Sequence, residues 1–139
     1  MAELPPRTDR IRLDNDRESI VHDFCIDYYW VTMTVGLYDD GSPGEIFLQV
    51  TDGPDDKDMI QGFLHGVATS VSLGLQHGVP LEVFANRMKH QKFRPAGLTN
   101  NSDKGFERAG SIFDYIFRWL EKRFITEEAE VVKHMPVRA

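Results

Sequence analysis

Cysteine is scarce in this sequence: Cys25 is its single cysteine in 139 residues. One thiol cannot close an intramolecular disulfide, so a disulfide-stapled secreted fold is excluded. A Cys-x-x-Cys pair is also missing, which rules out a cysteine-based zinc site. We expect Cys25 to be a small packed side chain, because no cation stands beside it in sequence to lower the pKa of its thiol. The expected location is the reducing cytoplasm.

Long apolar runs are absent, and no stretch approaches the roughly 20 residues of a membrane-spanning helix. The first residues carry no signal-peptide pattern, so we expect a soluble intracellular protein without a membrane partner. Net positive charge is lacking as well, since the formal charge is −6. Broad phosphate-driven binding usually needs positive charge, so we do not expect nucleic acid as a partner.

Catalytic and metal-binding patterns are not visible. His65 and His77 lie too far apart for a helical pair of ligands, and the five histidines show no ligand spacing. Asp39, Asp40 and Glu45 could serve metal or acid–base chemistry, but turn formation also explains the two aspartates. We therefore predict no catalytic residue and no metal site, and a free-standing enzyme is the weakest functional hypothesis.

Three stretches alternate apolar and polar residues as half-buried strands do. They cover residues 17–26, 29–38 and 45–51. Residues 39–44 between the last two are dense in turn formers, which predicts an antiparallel hairpin with the first strand alongside. The predicted inward positions are Ile20, His22, Phe24, Ile26, Val31, Met33, Val35, Leu37, Ile46, Leu48 and Val50.

A long helix is predicted from about Pro54 to Gln76, because apolar residues recur at helical spacing before Gly78. A second stripe on this helix holds small residues four positions apart: Gly62, Gly66, Ser70 and Gly74. Glycine costs ~1 kcal/mol in a helix relative to alanine, so three glycines at one spacing need a reason. We interpret the stripe as a groove that receives another element of the same domain or of a partner chain.

Two further helices are predicted. A short one follows Pro80 and ends near His90, and a third begins near Ser102 or Asp103, both of which are good N-caps. The expected fold is α+β: an antiparallel sheet of about three strands against about three helices in one two-layer domain. Residues 1–16 are expected to form a flexible arm, 17–125 the domain, and 126–139 a charged tail.

One basic segment stands out in the acidic chain. Between Arg87 and Arg108, six cations face two carboxylates, for a net charge near +4. Asparagines just before a predicted helix start would add donors for an anion. A phosphate, a nucleotide or an acidic partner surface could bind there, and a solvated loop that balances the charge is the alternative. The candidate binding residues are Lys89, Lys92, Arg94, Asn100, Asn101 and Lys104.

Four sequence blocks in order resemble the TSCPD domain, which follows the catalytic barrel in adenosylcobalamin-dependent ribonucleotide reductases. The blocks are residues 38–47, 68–73 with 76–83, 93–97 and 114–120. The resemblance extends from about Arg17 to Phe124. The Thr-Ser-Cys-Pro-Asp string that names the family is missing from the chain.

The resemblance implies a chemistry that this chain alone cannot perform. Ribonucleotide reduction uses a thiyl-forming cysteine and a cysteine pair that delivers electrons, and one thiol cannot fill three roles. We therefore expect a non-catalytic accessory domain of deoxyribonucleotide synthesis, which docks to a reductase chain or to a copy of itself. Adenosylcobalamin is expected to belong to the related reductase and not to this chain. The alternative is an independent nucleotide- or anion-binding module on the same scaffold.

Overall fold

The computed structural model describes residues 8–125. Its elements in chain order are β1 (Ser19–Ile26), β2 (Tyr29–Leu37), β3 (Pro43–Asp52), α1 (Lys57–Gln76), α2 (Leu81–Met88), β4 (Gly97–Leu98), β5 (Arg108–Ala109) and α3 (Ile112–Phe124). The α+β prediction is confirmed, and β4 with β5 forms a second, two-stranded sheet that was not predicted. The predicted charged tail, residues 126–139, lies outside the described residues.

The main sheet is antiparallel in the order β1-β2-β3, so β2 is its central strand. Side chains alternate between its two faces, as the sequence pattern predicts. One face is buried against the helices, and the other carries the exposed side chains Val21, Trp30 and Phe47. The buried strand residues are Phe24, Ile26, Val31, Met33, Val35, Ile46 and Leu48.

Helix α1 closes the free edge of β3 with side-chain hydrogen bonds. The backbone N–H of Ile46 donates to Ser72 Oγ at 2.8 Å. Gln61 accepts from the N–H of Val50 at 2.6 Å and donates to the carbonyl of Leu48 at 3.0 Å. An exposed strand edge is a template for unwanted pairing, so these contacts protect it. The long helix thereby runs alongside the strand edge, antiparallel to β3.

The small-residue stripe on α1 divides into two parts. A Cβ added at Gly74 would overlap the ring of Phe84, so glycine is required there for close packing of α2. A Cβ added at Gly62 or Gly66 would meet nothing within 4 Å. The prediction of a groove filled by the same domain is therefore right at Gly74 and wrong at Gly62 and Gly66, which face solvent.

The segment before β1 lies against the domain from Thr8 onward. The N–H of Ile11 donates to the carbonyl of Gln76 at 2.8 Å, and Tyr38 Oη donates to the carbonyl of Ile11 at 2.6 Å. His77 Nδ1 lies 2.7 Å from the carbonyl oxygen of Thr8. In the described part of the predicted arm, these contacts attach the chain to the C-terminal end of α1.

Helix α3 begins at Ile112, ten residues after the predicted start near Ser102. The side chain of Ser111 caps it by accepting from the N–H of Asp114 at 3.0 Å. Gly105 has φ of +90°, a left-handed conformation that ends any helix before this point. The prediction failed because Phe106 and Ala109, which fit a helical spacing, instead lie on the core side of a hairpin. Among residues 8–125, no helix has the length and apolarity needed to cross a membrane.

Candidate functional site

We call residues 89–111, which connect α2 to α3, the basic loop. Its middle folds as a small hairpin in which Gly97 pairs with Ala109 and Leu98 with Arg108. The loop also returns to α3, where the rings of Phe93 and Phe113 meet edge-on with centroids 5.1 Å apart. The predicted connector therefore has defined secondary structure and its own packing.

The carboxylate of Asp114, near the start of α3, holds both ends of the basic loop. Its Oδ1 accepts from the N–H of His90 at 2.7 Å, and its Oδ2 accepts from the N–H of Gly110 at 2.8 Å. Arg118 Nε donates to Oδ1 at 2.9 Å. Burial alone would raise the pKa of Asp114, but the two backbone donors and the Arg118 guanidinium together hold it below its ordinary value.

A second anchor joins the basic loop to the sheet through Tyr115. This side chain is fully buried, and burial raises the pKa of its phenol. Its Oη accepts from Asn101 Nδ2 at 3.0 Å and lies 2.8 Å from His22 Nε2. The imidazole of His22 stacks on Trp119 with centroids 4.7 Å apart. Burial lowers the pKa of His22, which outweighs the opposite effect of nearby Asp23 and Asp103.

The neighbouring Asn100 fixes the loop to β1. Its Oδ1 accepts from the backbone N–H of Cys25 at 2.8 Å, and its own N–H donates to the carbonyl of Cys25 at 3.3 Å. Thr99 extends this contact by an isolated bridge to Ile26. The two asparagines of the predicted binding set are thus structural ties between the basic loop and the domain.

The six predicted binding residues fall into two groups. Lys89 Nζ pairs with Glu121 Oε2 of α3 at 2.6 Å, so it is engaged within the chain as the two asparagines are. Lys92, Arg94 and Lys104 are exposed to solvent. Three of the six predicted residues are therefore cations at the surface of a loop that is anchored on both sides, and their binding role stays a prediction.

A shallow cleft of about 400 Å³ lies where the basic loop meets the end of α3. Its floor includes Phe106, and Lys122 Nζ lies 5.2 Å from the centre of that ring. The lining residues are Asn101, Asp103, Phe106, Trp119, Lys122 and Arg123. Aromatic rings, two cations and an amide suit an anionic aromatic ligand, whereas the carboxylate of Asp103 in the same lining repels an anion.

Sequence reasoning missed several residues of this region. Lys122 is in the last turn of α3, where it also complements the helix dipole, so its sequence position signals no site. Asp114 could have been noticed, because Ser111 precedes it at capping distance and Arg118 follows at i+4. In the described part of the chain, no three His, Cys, Asp or Glu side chains are grouped to hold a metal ion.

Comparison with known families identifies the chain. The model of the TSCPD domain matches residues 10–124. The chain belongs to the TSCPD domain family. In this TSCPD domain, the resembling block 93–97 is in the basic loop and block 114–120 is the body of α3. The Thr-Ser-Cys-Pro-Asp string of the family name is absent.

Curated relatives of this TSCPD domain carry the name vitamin B12-dependent ribonucleotide reductase. The protein of Rhodopirellula baltica is 39% identical over 117 residues, which are 84% of this chain and 11% of the relative. That of Streptantibioticus cattleyicolor is 36% identical over 86% of this chain and 19% of its own length. That of Agrobacterium fabrum is 34% identical over 84% of this chain and 9% of its own.

The TSCPD domain thus spans between about a tenth and a fifth of the length of these relatives. Its relation to vitamin B12-dependent ribonucleotide reductases is clear from the matches. No solved structure matches the chain.

Proposed function

We propose that this chain is a non-catalytic accessory domain that docks to a ribonucleotide reductase chain and serves deoxyribonucleotide synthesis. The observation that carries the proposal is the pattern of coverage. Nearly the whole chain aligns with vitamin B12-dependent reductases, yet it corresponds to only 9–19% of their length. A domain that corresponds to a small part of a reductase would act most simply by contact with the rest of a reductase.

The cysteine content supports a role without catalysis. Cys25 is the one thiol of the chain, it lies on β1, and burial raises its pKa. A thiol with a raised pKa is mostly protonated near neutral pH and is a poor nucleophile. The proposal therefore assigns the thiyl and electron-delivery roles implied by the resemblance to residues outside this sequence.

We propose that adenosylcobalamin is not held by the described residues of this chain. The cleft of about 690 Å³ between β3 and α1 lies open along the strand edge. Two of the residues that line it, Gln61 and Ser72, are already bonded to the strand backbone. These two side chains are engaged within the domain, which supports the proposal that the cofactor is held by the reductase chain.

The docking surface that we propose is the exposed side of the basic loop. Lys92, Arg94 and Lys104 lie in solvent there, while Asp114 and Asn100 hold the loop backbone in place. Because the loop backbone is already held in place, it loses little conformational freedom when this surface binds. The proposed counterpart is an acidic patch on the reductase chain, since opposite charges increase the rate of association.

Binding to a reductase chain tests the proposal. The full chain is immobilised and exposed to a purified vitamin B12-dependent reductase that lacks a TSCPD domain, at low and high salt. We expect binding that weakens with salt, because exposed charges are screened over about 8 Å at physiological ionic strength. The double variant Lys92→Glu with Arg94→Glu should lose the interaction and keep its fold.

The control variant reverses two exposed cations outside the loop, Arg12→Glu with Lys57→Glu, for the same change in net charge. It should bind as the parent does. No binding by the parent chain would contradict the docking function. Equal binding by the parent and the loop variant would support docking but contradict the basic loop as the docking surface. The docking surface would then be the open sheet face around Trp30, Thr32 and Thr34.

A second candidate function is the binding of a nucleotide in the cleft of about 400 Å³. It is favoured by Trp119, Lys122 and Arg123 around one opening. The chain has two tryptophans, so Trp30→Phe leaves Trp119 as the single tryptophan reporter. Quenching of its fluorescence by ATP or a deoxynucleotide, lost in Lys122→Glu with Arg123→Glu, would support this function. Unchanged fluorescence and no calorimetric signal with either nucleotide would exclude it.

A further inference from the structure

The solvent side of α1 carries large apolar side chains. Phe63 is 66% exposed, Met59 57% and Leu73 40%. These three lie opposite the face that packs on the sheet, which buries Leu64, Ala68, Val71 and Leu75. A surface helix normally presents polar residues to water, so an apolar stripe on this side points to a contact outside the single chain.

Small residues lie between these apolar side chains. Gly62, Gly66 and Ser70 are all exposed on the same side of the helix. No neighbouring atom requires glycine at the first two positions, because a Cβ at either one would meet nothing within 4 Å. Glycine in a helix interior is unfavourable, and close approach of another backbone is the usual compensation.

Four side chains on this face are symmetric in size about Gly66, whereas the counterpart of Phe63 is the smaller Thr69. Gly62 and Ser70 each lie four residues from it, and Met59 and Leu73 each lie seven residues from it. Two copies of α1 that cross antiparallel at Gly66 would place Met59 of each copy opposite Leu73 of the other. The small residues would then meet at the crossing. A two-fold interface uses one self-complementary patch on both subunits, which is what this symmetry provides.

The charges at the two ends of α1 favour the antiparallel arrangement. Asp55, Asp56 and Asp58 lie at its N-terminal end, with the cation Lys57 among them. At the other end, Arg10 Nε donates to Gln76 Oε1 at 2.6 Å, which places a cation beside the last turn. Helical spacing puts Asp58 and Gln76 on the same side of the apolar stripe. If the two α1 helices pair antiparallel, Asp58 of one copy lies near Arg10 of the other. If they pair parallel, the two acidic N-terminal ends lie side by side and repel each other.

We infer that this face of α1 binds a second copy of the chain, antiparallel and with the two-fold axis at Gly66. The dimer buries the exposed stripe defined by Met59, Phe63 and Leu73. It goes beyond the proposed docking to a reductase and does not depend on it, because it requires only this chain and leaves the basic loop free.

Sedimentation of the full chain over a range of micromolar concentrations tests the inference. We expect a monomer–dimer equilibrium in the parent chain. Phe63→Glu should raise the dimer dissociation constant at least about tenfold, and Val83→Glu, at an exposed apolar position of α2, should leave it unchanged. A parent chain that is monomeric at every concentration overturns the inference, and so does a dimer that survives Phe63→Glu.

The variant Gly66→Gln distinguishes loss of the dimer contact from loss of folding stability. Its side chain has open space in a single copy, and glutamine favours helix more than glycine does. The variant should unfold at a higher temperature when dilute and yet lose the dimer, because its side chain blocks close approach of the second helix. A variant that dimerises as the parent does would contradict a crossing at Gly66.

Charge reversal tests the orientation. Asp58→Lys and Arg10→Glu should each weaken the dimer, and the double variant should recover most of the parent affinity. Two weakened single variants without recovery in the double variant would rule out the antiparallel order. A reductase-binding assay on Phe63→Glu distinguishes failure of the dimer proposal from failure of the docking proposal, since docking through the basic loop should be unaffected by this substitution.

Discussion

Asp114 and Arg118 form an ion pair along one turn of α3, with Arg118 Nε 2.9 Å from Asp114 Oδ1. The same guanidinium donates to the backbone carbonyl of Arg108 at 2.8 Å and to that of Gly105. Asp114 in turn accepts from the two ends of the basic loop. One charged pair on a helix therefore holds the conformation of the loop that carries the proposed docking surface.

Replacement of Asp114 by alanine should strongly destabilise the domain. Removal of one partner of a buried ion pair typically costs about 3–5 kcal/mol, and here two backbone donors also lose their acceptor. Asp114→Asn keeps one oxygen acceptor and should be less harmful. Chemical denaturation of both variants measures the effect. Asp103→Asn, at an exposed loop position, serves as a control and should change the unfolding free energy by less than about 0.5 kcal/mol.

The pKa of Asp114 also predicts acid sensitivity. The folded state holds the pKa below its ordinary value, so the folded state favours the ionised carboxylate. This contribution to stability is complete above about pH 4, the ordinary range for aspartate, and is lost as the pH falls through the lower folded value. Acid unfolding of the parent and of Asp114→Asn should differ in steepness in this range. Identical acid transitions would show that the carboxylate is not preferentially ionised in the fold.

His22 predicts a second pH dependence with its own window. Burial lowers its pKa in the folded state, so folding favours the neutral imidazole beside Tyr115 and Trp119. The contribution is complete above the unfolded pKa of about 6.5 and is lost as the pH falls through the lower folded value. Thermal unfolding of the parent chain between pH 8 and pH 5 should show this loss. His22→Phe keeps a stacking ring and should remove that part of the pH dependence; an unchanged profile would argue against a role for His22.

Close packing of α2 on α1 should make Gly74 intolerant of a side chain. Gly74→Leu gains helix propensity of about 1 kcal/mol, but collision with the Phe84 ring should cost ~1–3 kcal/mol or more. Gly62→Leu, on the solvent side of the same helix, is the matched control and should be more stable than the parent. Thermal unfolding in dilute solution, where a dimer does not contribute, compares them. The opposite order of stability would refute the assignment of the two glycine environments.

The thiol of Cys25 should be dispensable, whereas the asparagine that holds its backbone should not. Cys25→Ser is expected to change the unfolding free energy by less than about 0.5 kcal/mol, since the side chain is half-buried on the open side of β1. Asn100→Ala removes the acceptor for the Cys25 N–H and should cost about 0.5–1.5 kcal/mol. Loss of reductase binding in Cys25→Ser, at unchanged stability, would reveal a function of the thiol.

Local patterns were sufficient for most of the secondary structure. Alternation placed Phe24 and Met33 inward because a strand exposes successive side chains to opposite faces, whatever surrounds it. The apolar spacing of α1 and the stop at Gly78 followed in the same way from the helical period and from a left-handed cap. The four blocks of resemblance likewise identified the family, since their order along the chain is itself sequence information.

The start of α3 and the candidate site were decided by contacts between distant residues. Phe106 and Ala109 fit a helix by spacing, yet the left-handed Gly105 and the pairing of residues 108–109 with 97–98 exclude the helix. Asn100 and Asn101 looked like ligand donors, but their partners, Cys25 and Tyr115, belong to β1 and α3. The sequence by itself determined which residues are cationic, small or apolar. The tertiary structure decided which of these are used internally and which remain at the surface, because hydrogen bonds and burial depend on distances that sequence separation does not define.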